Sequence, residues 1–522
     1  MSEREYIVTL NKGVDYDAFN QEMIANTGSG DIPSRSVDIA DARLGSQRNT
    51  HYSLTDAEAS DLKNDSRVLD VAIPPDQDDN LEIGLNTTFS GTFYKGSSES
   101  GEYIDWGKRR HSVTTEDTSW TTSLAGSYDF NLDGSGVDVV IQDSGLQVDH
   151  PEFIDANGVS RVQQIDWYAA SGISGTQNAN HYRDLDGHGT HCAGTAAGKS
   201  FGWAKNARVY SVKVNGLEGA GDSGTGISIS NCFDVIKLWH RNKPIDPVTG
   251  QKRPTIVNMS WGYSTSATSI TAVEYRGVSY TSGNDASFSS SPNTHMRDTY
   301  GIYPYNTVSG LRAPVRIASV DTDVEELIDE GVCVCIAAGN NSFKVDVSGG
   351  DDYNNKFTRG GDVFYHRGSS PYSVNAFMVG SLLAQSSVAD NKVGFSTTGP
   401  GVDIYAAGNN IVSCTSNTNK FSDAAYYGSG SFRQCNISGT SMASPQVCGL
   451  GALYLQANPM LTQSQLQDMI HKDSSETLEA GSLTGYGDTN DAMGGPRRVM
   501  VSRYTKNIPF SIRLSGKYSI RS

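Results

Sequence analysis

Gly439-Thr440-Ser441-Met442-Ala443-Ser444-Pro445 places a serine where a tight Gly-Thr turn runs into a helix of small residues. A fixed heptapeptide recurs by chance at about one in 10^9 positions at equal residue use, so the pattern is specific. A serine hydroxyl is a weak nucleophile at neutral pH and needs a base within reach and a third group to orient that base. Two upstream segments carry the missing groups. Gly187-His188-Gly189-Thr190-His191 offers an imidazole, and Val139-Val140-Ile141-Gln142-Asp143-Ser144-Gly145 is an apolar strand ending in an acid. Asp143 would hold the tautomer of His188, which takes the proton of Ser441 and returns it to the leaving group. The helix is expected to begin at Ser441, with its positive end near the developing oxyanion and Pro445 in its first turn.

In the order acid, histidine, serine, these three motifs resemble the subtilisin-like serine proteases. The stretch from Gly187 to Thr195, with the short link Gly202 to Ala207, is most similar to the proteinase K branch. The resemblance implies a serine endopeptidase, made as a self-cleaving zymogen, that acts on polypeptides without a cofactor. It implies an α/β fold, a parallel sheet with helices on both faces. Asn340, at the end of the apolar run from Val332, resembles the family's oxyanion-hole asparagine. Ser260-Trp261-Gly262 resembles the strand lining the primary specificity pocket, and Gly219-Ala220-Gly221 the second edge strand. Together they would bind an extended peptide by strand addition.

Plainer readings stand beside these. Asp-Ser-Gly is a common turn, and Asn340 could simply close one. His188 and His191 stand three apart on an expected helix, a spacing that can hold zinc, but no third ligand cluster accompanies them, and no metal is assigned. Cys192 reads as a small buried hydrophobe, as do Cys333 and Cys335 on one face of a strand. An esterase with a Gly-x-Ser-x-Gly elbow is disfavoured by Gly-Thr-Ser-Met-Ala and by the motif order. The rival of another class is a latent structural or virion-associated protein of the same fold that cleaves only itself.

Lys and Arg number 41 against 58 Asp and Glu, a net charge of -17. Such a surface repels nucleic acid and anionic membranes, so neither is an expected partner. The N-terminus shows no signal peptide, and no apolar run has the length to span a bilayer. Seven cysteines, an odd number, point to reduced thiols. The expected location is intracellular or within a bacteriophage particle; the oligomeric state is open.

Residues 1–76 read as a small ferredoxin-like α+β unit resembling an inhibitory propeptide. A strand spans Tyr6 to Leu10, a helix carries Tyr16, Phe19, Met23 and Ile24, and a capping box joins Thr55 and Glu58. Strands near Val37 to Ile39, His51 to Leu54 and Val68 to Ile73 complete a β-α-β-β-α-β order. Val71 to Asp76 is expected to lie across the active site. Residues 77–118 form a polar linker with the maturation site, expected between about Asp76 and Asp105 and before Trp106. Residues 119–475 form the catalytic domain, where strands and helices alternate. Within an insertion at 263–320, the stretch from Tyr263 to Asn306 reads as a solvated loop, with a binding module as the alternative. Residues 476–522 are a C-terminal extension.

Overall fold

The computed structural model describes residues 3–25, 30–75, 77–78, 81–85, 89–91, 106–112, 130–247, 250–302, 305–307, 310–365, 367–384, 390–427, 429–478 and 493–504. Its N-terminal unit is a four-stranded antiparallel sheet in the order Ile39–Asp41, Asn49–Leu54, Arg4–Leu10, Val68–Ala72. Helices Tyr16–Ile24 and Asp56–Leu62 bury Phe19, Met23, Ala59 and Leu62 with Tyr6, Val8, Leu10, Tyr52 and Leu54. The capping box forms in both directions between Thr55 and Glu58. Ile24, expected on the buried face, is the last helical residue and is 38% exposed.

The second unit is built on six parallel strands. Their order is Ile404–Ala407, Phe377–Leu382, Cys333–Ala337, Thr255–Met259, Asp138–Asp143, Arg208–Lys213. Side chains alternate across a strand, and both faces are covered, so the strands read as continuous apolar runs. Val139, Ile141, Cys333, Cys335 and Val379 pack on one side with helices His188–Ala197 and Thr440–Ala457. Val140, Val257, Val334 and Ile336 pack on the other with helices Ile229–Asn242 and Ala318–Asp329. Cys333 and Cys335 share a face, and all seven cysteines are free and buried. Among the described residues no helix is long and apolar enough to cross a membrane.

Two expectations need correction. The insertion is not a solvated loop: strands Ile270–Tyr275 and Val278–Tyr280 form an antiparallel sheet with Lys356–Arg359 and Asp362–Tyr365. Ile270, Val273, Met296, Tyr300 and Phe357 make a core of their own. Its low hydropathy hid a sheet whose other half arrives from some 80 residues later in the chain. Nor is the C-terminal part all an appendage. Val499, Met500 and Val501 are buried, and Tyr405 N–H donates to Arg498 O while Met500 N–H donates to Tyr405 O, both at 2.9 Å. This stretch extends the central sheet beyond Ile404–Ala407.

The two units meet through Arg43, on the loop between Ile39–Asp41 and Asn49–Leu54. Its Nε lies 2.9 Å from Asp234 Oδ2 and its Nη2 2.8 Å from Asp323 Oδ1, with all three side chains at most 3% exposed. Asn49 Nδ2 donates to Asp323, and Ser46 Oγ donates to Glu326. Lys237 Nζ reaches Glu326 at 2.6 Å. Burial raises the Asp323 carboxyl to about 7, because the neighbouring Asp234 and Glu326 offset much of the pull of Arg43. Asp234, Asp323 and Glu326 are close enough to share a metal ion; the Arg43 guanidinium already bonds two of them.

Candidate active site

Asp143 is the last residue of its strand, so its carboxylate emerges at the C-terminal end of the sheet, where such folds place ligands. Its Oδ1 lies 2.8 Å and its Oδ2 3.1 Å from His188 Nδ1, both side chains fully buried. His188 opens its helix from Gly187, whose φ of +90° suits glycine. A Cβ at Gly187 would stand 2.4 Å from Asn419 Cβ. The cap comes from Asp184: Oδ1 accepts from Gly187 N–H at 2.8 Å, and Oδ2 from Thr190 N–H at 3.0 Å and Thr190 Oγ1 at 2.6 Å. Ser144 Oγ bridges Asp184 and Gly189 N–H. Sequence reasoning missed Asp184 and Ser144. An acid four residues before the histidine was the available signal.

The serine helix starts at Thr440 rather than Ser441, and Pro445 is its sixth residue. This corrects the first-turn reading and has a consequence. A proline inside a helix removes the N–H owed to the carbonyl four residues earlier, here Ser441 O. That oxygen instead accepts from Ser260 Oγ at 3.1 Å and Cys192 Sγ at 3.3 Å. The Ser441 hydroxyl donates to Ser260 O at 3.0 Å, while His188 Nε2 has no partner. Cys192 Sγ lies 3.7 Å from His188 Nδ1 and 3.3 Å from Ser441 O, which puts Ser441 in the neighbourhood of the Asp143–His188 pair, with its hydroxyl turned toward the strand. Catalytic hydrogen bonds often align only once substrate binds.

Asn340 follows Gly339, which has φ +104° and donates its N–H to Thr440 Oγ1. The Asn340 Oδ1 accepts from Thr440 N–H and Thr440 Oγ1, each at 2.9 Å, which fixes the amide's orientation. Its Nδ2 is buried without a partner. An unpaired buried donor is costly unless a ligand uses it, and this one could meet an anionic oxygen.

Ser260 is the joint between two sheets, ending the parallel strand Thr255–Met259 and preceding the antiparallel strand Trp261–Ser266. Asn258 Nδ2 donates to Ser260 Oγ at 2.9 Å, and Ser444 Oγ donates to Asn258 Oδ1 at 2.8 Å. The Trp261 indole is not a cleft wall. It is 1% exposed and packs with Phe233 and Tyr263, so only the backbone of Ser260-Trp261-Gly262 is presented at an edge. That edge is paired with the chain's own residues Leu81–Leu85, antiparallel, Leu85 opposite Trp261 and Gly84 opposite Gly262. Phe89–Gly91 pairs with Asn436–Ser438, Phe89 opposite Ser438. Val71 belongs to the N-terminal sheet through Val68–Ala72 and does not lie across the site; Asp76 is outside the described residues.

Gly219-Ala220-Gly221 is a turn, not an edge strand. Gly219 and Gly221 have φ of +82° and +86°, incompatible with extended pairing. Gly219 stays at the site's rim, since a Cβ there would lie 2.8 Å from Asp186 N. Asp143, His188 and Cys192 are close enough to hold a metal. Burial, then the nearby Asp143 charge, raises the Cys192 thiol well above its ordinary range, so it stays protonated and donates. His191 points elsewhere, its Nε2 bonding Ile411 O at 3.1 Å.

Comparison with known proteins gives the family and the fold. Residues 134–488 match the Peptidase_S8 description, "Subtilase family". The chain is 25% identical over 403 residues to a cuticle-degrading serine protease of Arthrobotrys oligospora, covering 76% of this chain and 68% of that one. It is 25% identical over 508 residues to subtilisin-like protease 1 of Trichophyton equinum, covering 95% and 71%. It is 26% identical to an extracellular serine proteinase of Thermus sp., covering 66% of this chain and 57% of that one. Fervidolysin from Fervidobacterium pennivorans, a solved structure, shares the fold with a TM-score of 0.52 at 15% identity, covering 96% and 60%.

Proposed function

Because the chain belongs to the subtilase family of serine peptidases, we propose that Ser441, His188 and Asp143 are its catalytic triad, that Asn340 completes its oxyanion site, and that residues 1–76 are an inhibitory propeptide the enzyme cuts from itself. It is a serine endopeptidase acting on polypeptides.

For attack the Ser441 hydroxyl has to turn from Ser260 O to His188 Nε2, which then accepts the proton as Oγ attacks the scissile carbonyl. Asp143 fixes the proton on Nδ1 and stabilises the imidazolium. The oxyanion takes Asn340 Nδ2, a donor held ready by Thr440 and in need of no reorganisation. His188 then protonates the leaving amine, and water repeats the sequence on the acyl-enzyme.

The observation that carries the zymogen reading is the pairing of Leu81–Leu85 with the Trp261–Ser266 strand. A chain laid on the substrate edge in this way occupies the site by strand addition. The same occupancy favours a second reading, a latent protein that cuts only itself. The test is to express wild type beside Ser441→Ala, follow chain length, then add a denatured polypeptide. Cutting of the wild type alone, followed by digestion of the added substrate, supports the propeptide reading. Self-cutting without digestion supports latency. A wild type that digests the substrate while its N-terminal unit stays covalently attached overturns both.

A further inference from the structure

Five donors of the N-terminal unit end on three carboxylates of the catalytic unit. Arg43 Nε takes Asp234 Oδ2, Arg43 Nη2 and Asn49 Nδ2 take Asp323 Oδ1, and Ser46 Oγ and Gln47 N–H take Glu326 Oε1. Asp234 stands on the helix Ile229–Asn242, Asp323 and Glu326 on Ala318–Asp329. One oxygen of each lies within 4.8 Å of one oxygen of the others. Among the described residues of the catalytic unit, Lys237 is the cation in contact with them, 2.6 Å from Glu326 and 3.5 Å from Asp234. Two oxygens of the catalytic unit at this spot are buried with no hydrogen-bond partner among the described residues, Asp234 Oδ1 and Ser319 Oγ. Ser319 is one helical turn before Asp323, and its carbonyl takes the same Asn49 amide nitrogen that donates to Asp323.

We propose that a calcium ion takes the place of the Arg43 guanidinium once the N-terminal unit has left, held by Asp234, Asp323 and Glu326, with the Ser319 hydroxyl beside them. This rests on the release of residues 1–76 proposed above. Departure of the unit removes all five donors and leaves three carboxylates against one ammonium, a balance that one divalent cation neutralises. Carboxylates packed together without a counter-charge are costly, so the place left by Arg43 favours a cation. Calcium binds hard oxygens at about 2.3–2.6 Å, so oxygens on opposite sides of it stand about 4.6–5.2 Å apart, and it completes its shell with water. The spacing here needs little adjustment for calcium, whereas magnesium, at about 2.0–2.1 Å, would have to draw the two helices together. Arg43 and the ion claim the same oxygens of Asp234 and Asp323 and therefore exclude each other. Calcium would then act twice, loosening the N-terminal unit and bracing the helix pair it leaves behind.

The first experiment counts calcium by equilibrium dialysis on two folded full chains. One carries Ser441→Ala; the other adds Arg43→Gly, which opens the place of the guanidinium at a φ of +42° that glycine tolerates. The second chain should bind one calcium ion more than the first, and adding Asp323→Asn should abolish the difference. Equal calcium content in the two folded chains overturns the site, with Lys237 alone serving the carboxylates. Neither chain cuts itself, so this result is independent of the zymogen reading. The second experiment needs no variant at the interface: self-cut wild type is diluted into buffer with calcium or with a calcium chelator, and the appearance of activity reports loss of the N-terminal unit. At 100 times its dissociation constant calcium should weaken retention about 100-fold. Equal retention in the two buffers overturns the exchange. A wild type that never cuts itself overturns the zymogen reading and the exchange with it, while an extra ion in the Arg43→Gly chain would still establish the site.

Discussion

Replacing Arg43 with methionine keeps the length of the side chain and deletes its charge. In the intact interface the guanidinium reaches Asp234 at 2.9 Å and Asp323 at 2.8 Å, away from solvent. Without it Asp234, Asp323 and Glu326 face one another with Lys237, and Asp323 loses its nearest cation. Removing one partner of a buried pair costs about 3–5 kcal/mol, because the remaining charge stays buried. At about 1.4 kcal/mol per tenfold, the released N-terminal unit should bind the catalytic unit about 100- to 4,000-fold more weakly. Arg43 holds the Asp323 carboxyl down to about 7 against burial, so without it Asp323 keeps its proton to higher pH and the penalty shrinks as pH falls. The assay uses self-cut, purified wild type and Arg43→Met, diluted serially into a peptide substrate at pH 6 and pH 8. The concentration at which activity appears reports dissociation. The variant should release active enzyme at least about 100-fold higher in concentration, with the larger gap at pH 8. A shift under tenfold, or a larger gap at pH 6, would refute the reasoning.

Gly45→Ala tests the same contact sterically, since a Cβ there would lie 2.3 Å from Asp234 Cγ; weaker retention of the N-terminal unit is expected in the dilution assay. Asn340→Ala should lower kcat by about 10^2 to 10^3 with little change in KM, a magnitude carried over from subtilisin rather than worked from these distances; steady-state kinetics decide. Stability should fall in acid. Burial, then the Arg110 charge, lowers His111 to about 3; burial, then the His188 charge, lowers His191 to about 3; burial, then the Lys243 charge, lowers His240 to about 3; and burial lowers His181 to about 4. Folded values below the unfolded value near 6.5 mean stability is fully present above that pH and lost as pH falls toward 3 to 4. Each histidine removes about 1.4 kcal/mol per pH unit there. Denaturant midpoints at pH 7.5, 6 and 5 should drop steadily; a flat profile would contradict it.

The central sheet was legible because a strand buried on both faces has to be a continuous apolar run, and Val139 to Asp143 and Val332 to Ala338 are such runs. The proposed triad could be picked out because each member sits in a short motif with its own backbone demand, such as the positive φ of Gly187. Gly219 to Gly221 misled because glycines after a strand fit a turn as well as an edge. Trp261 misled because a residue next to a cleft can turn its side chain inward. The sheet at Ile270–Tyr275 stayed hidden because its partners, Lys356–Arg359, are distant in sequence. Leu81–Leu85 was missed although Leu81, Ile83 and Leu85 alternate with Glu82 and Gly84, a strand pattern too short to stand out in a polar linker.

The C-terminal stretch beside Tyr405 has a temporal meaning. A sheet edge left open offers unpaired backbone to any passing strand, and here its cover is supplied by Arg498 and Met500, which follow the strand they cover by more than 90 residues in the chain. The helix Trp106–His111 waits for the same stretch, since His111 Nδ1 bonds Met500 O and Ser502 N–H bonds His111 O. The serine helix arrives only about 50 residues earlier. The proposed nucleophile is therefore made after the strands it rests on, and the edge of that scaffold closes only once residues 498–502 have been made, so a nascent chain that ends before them carries an unfinished catalytic unit.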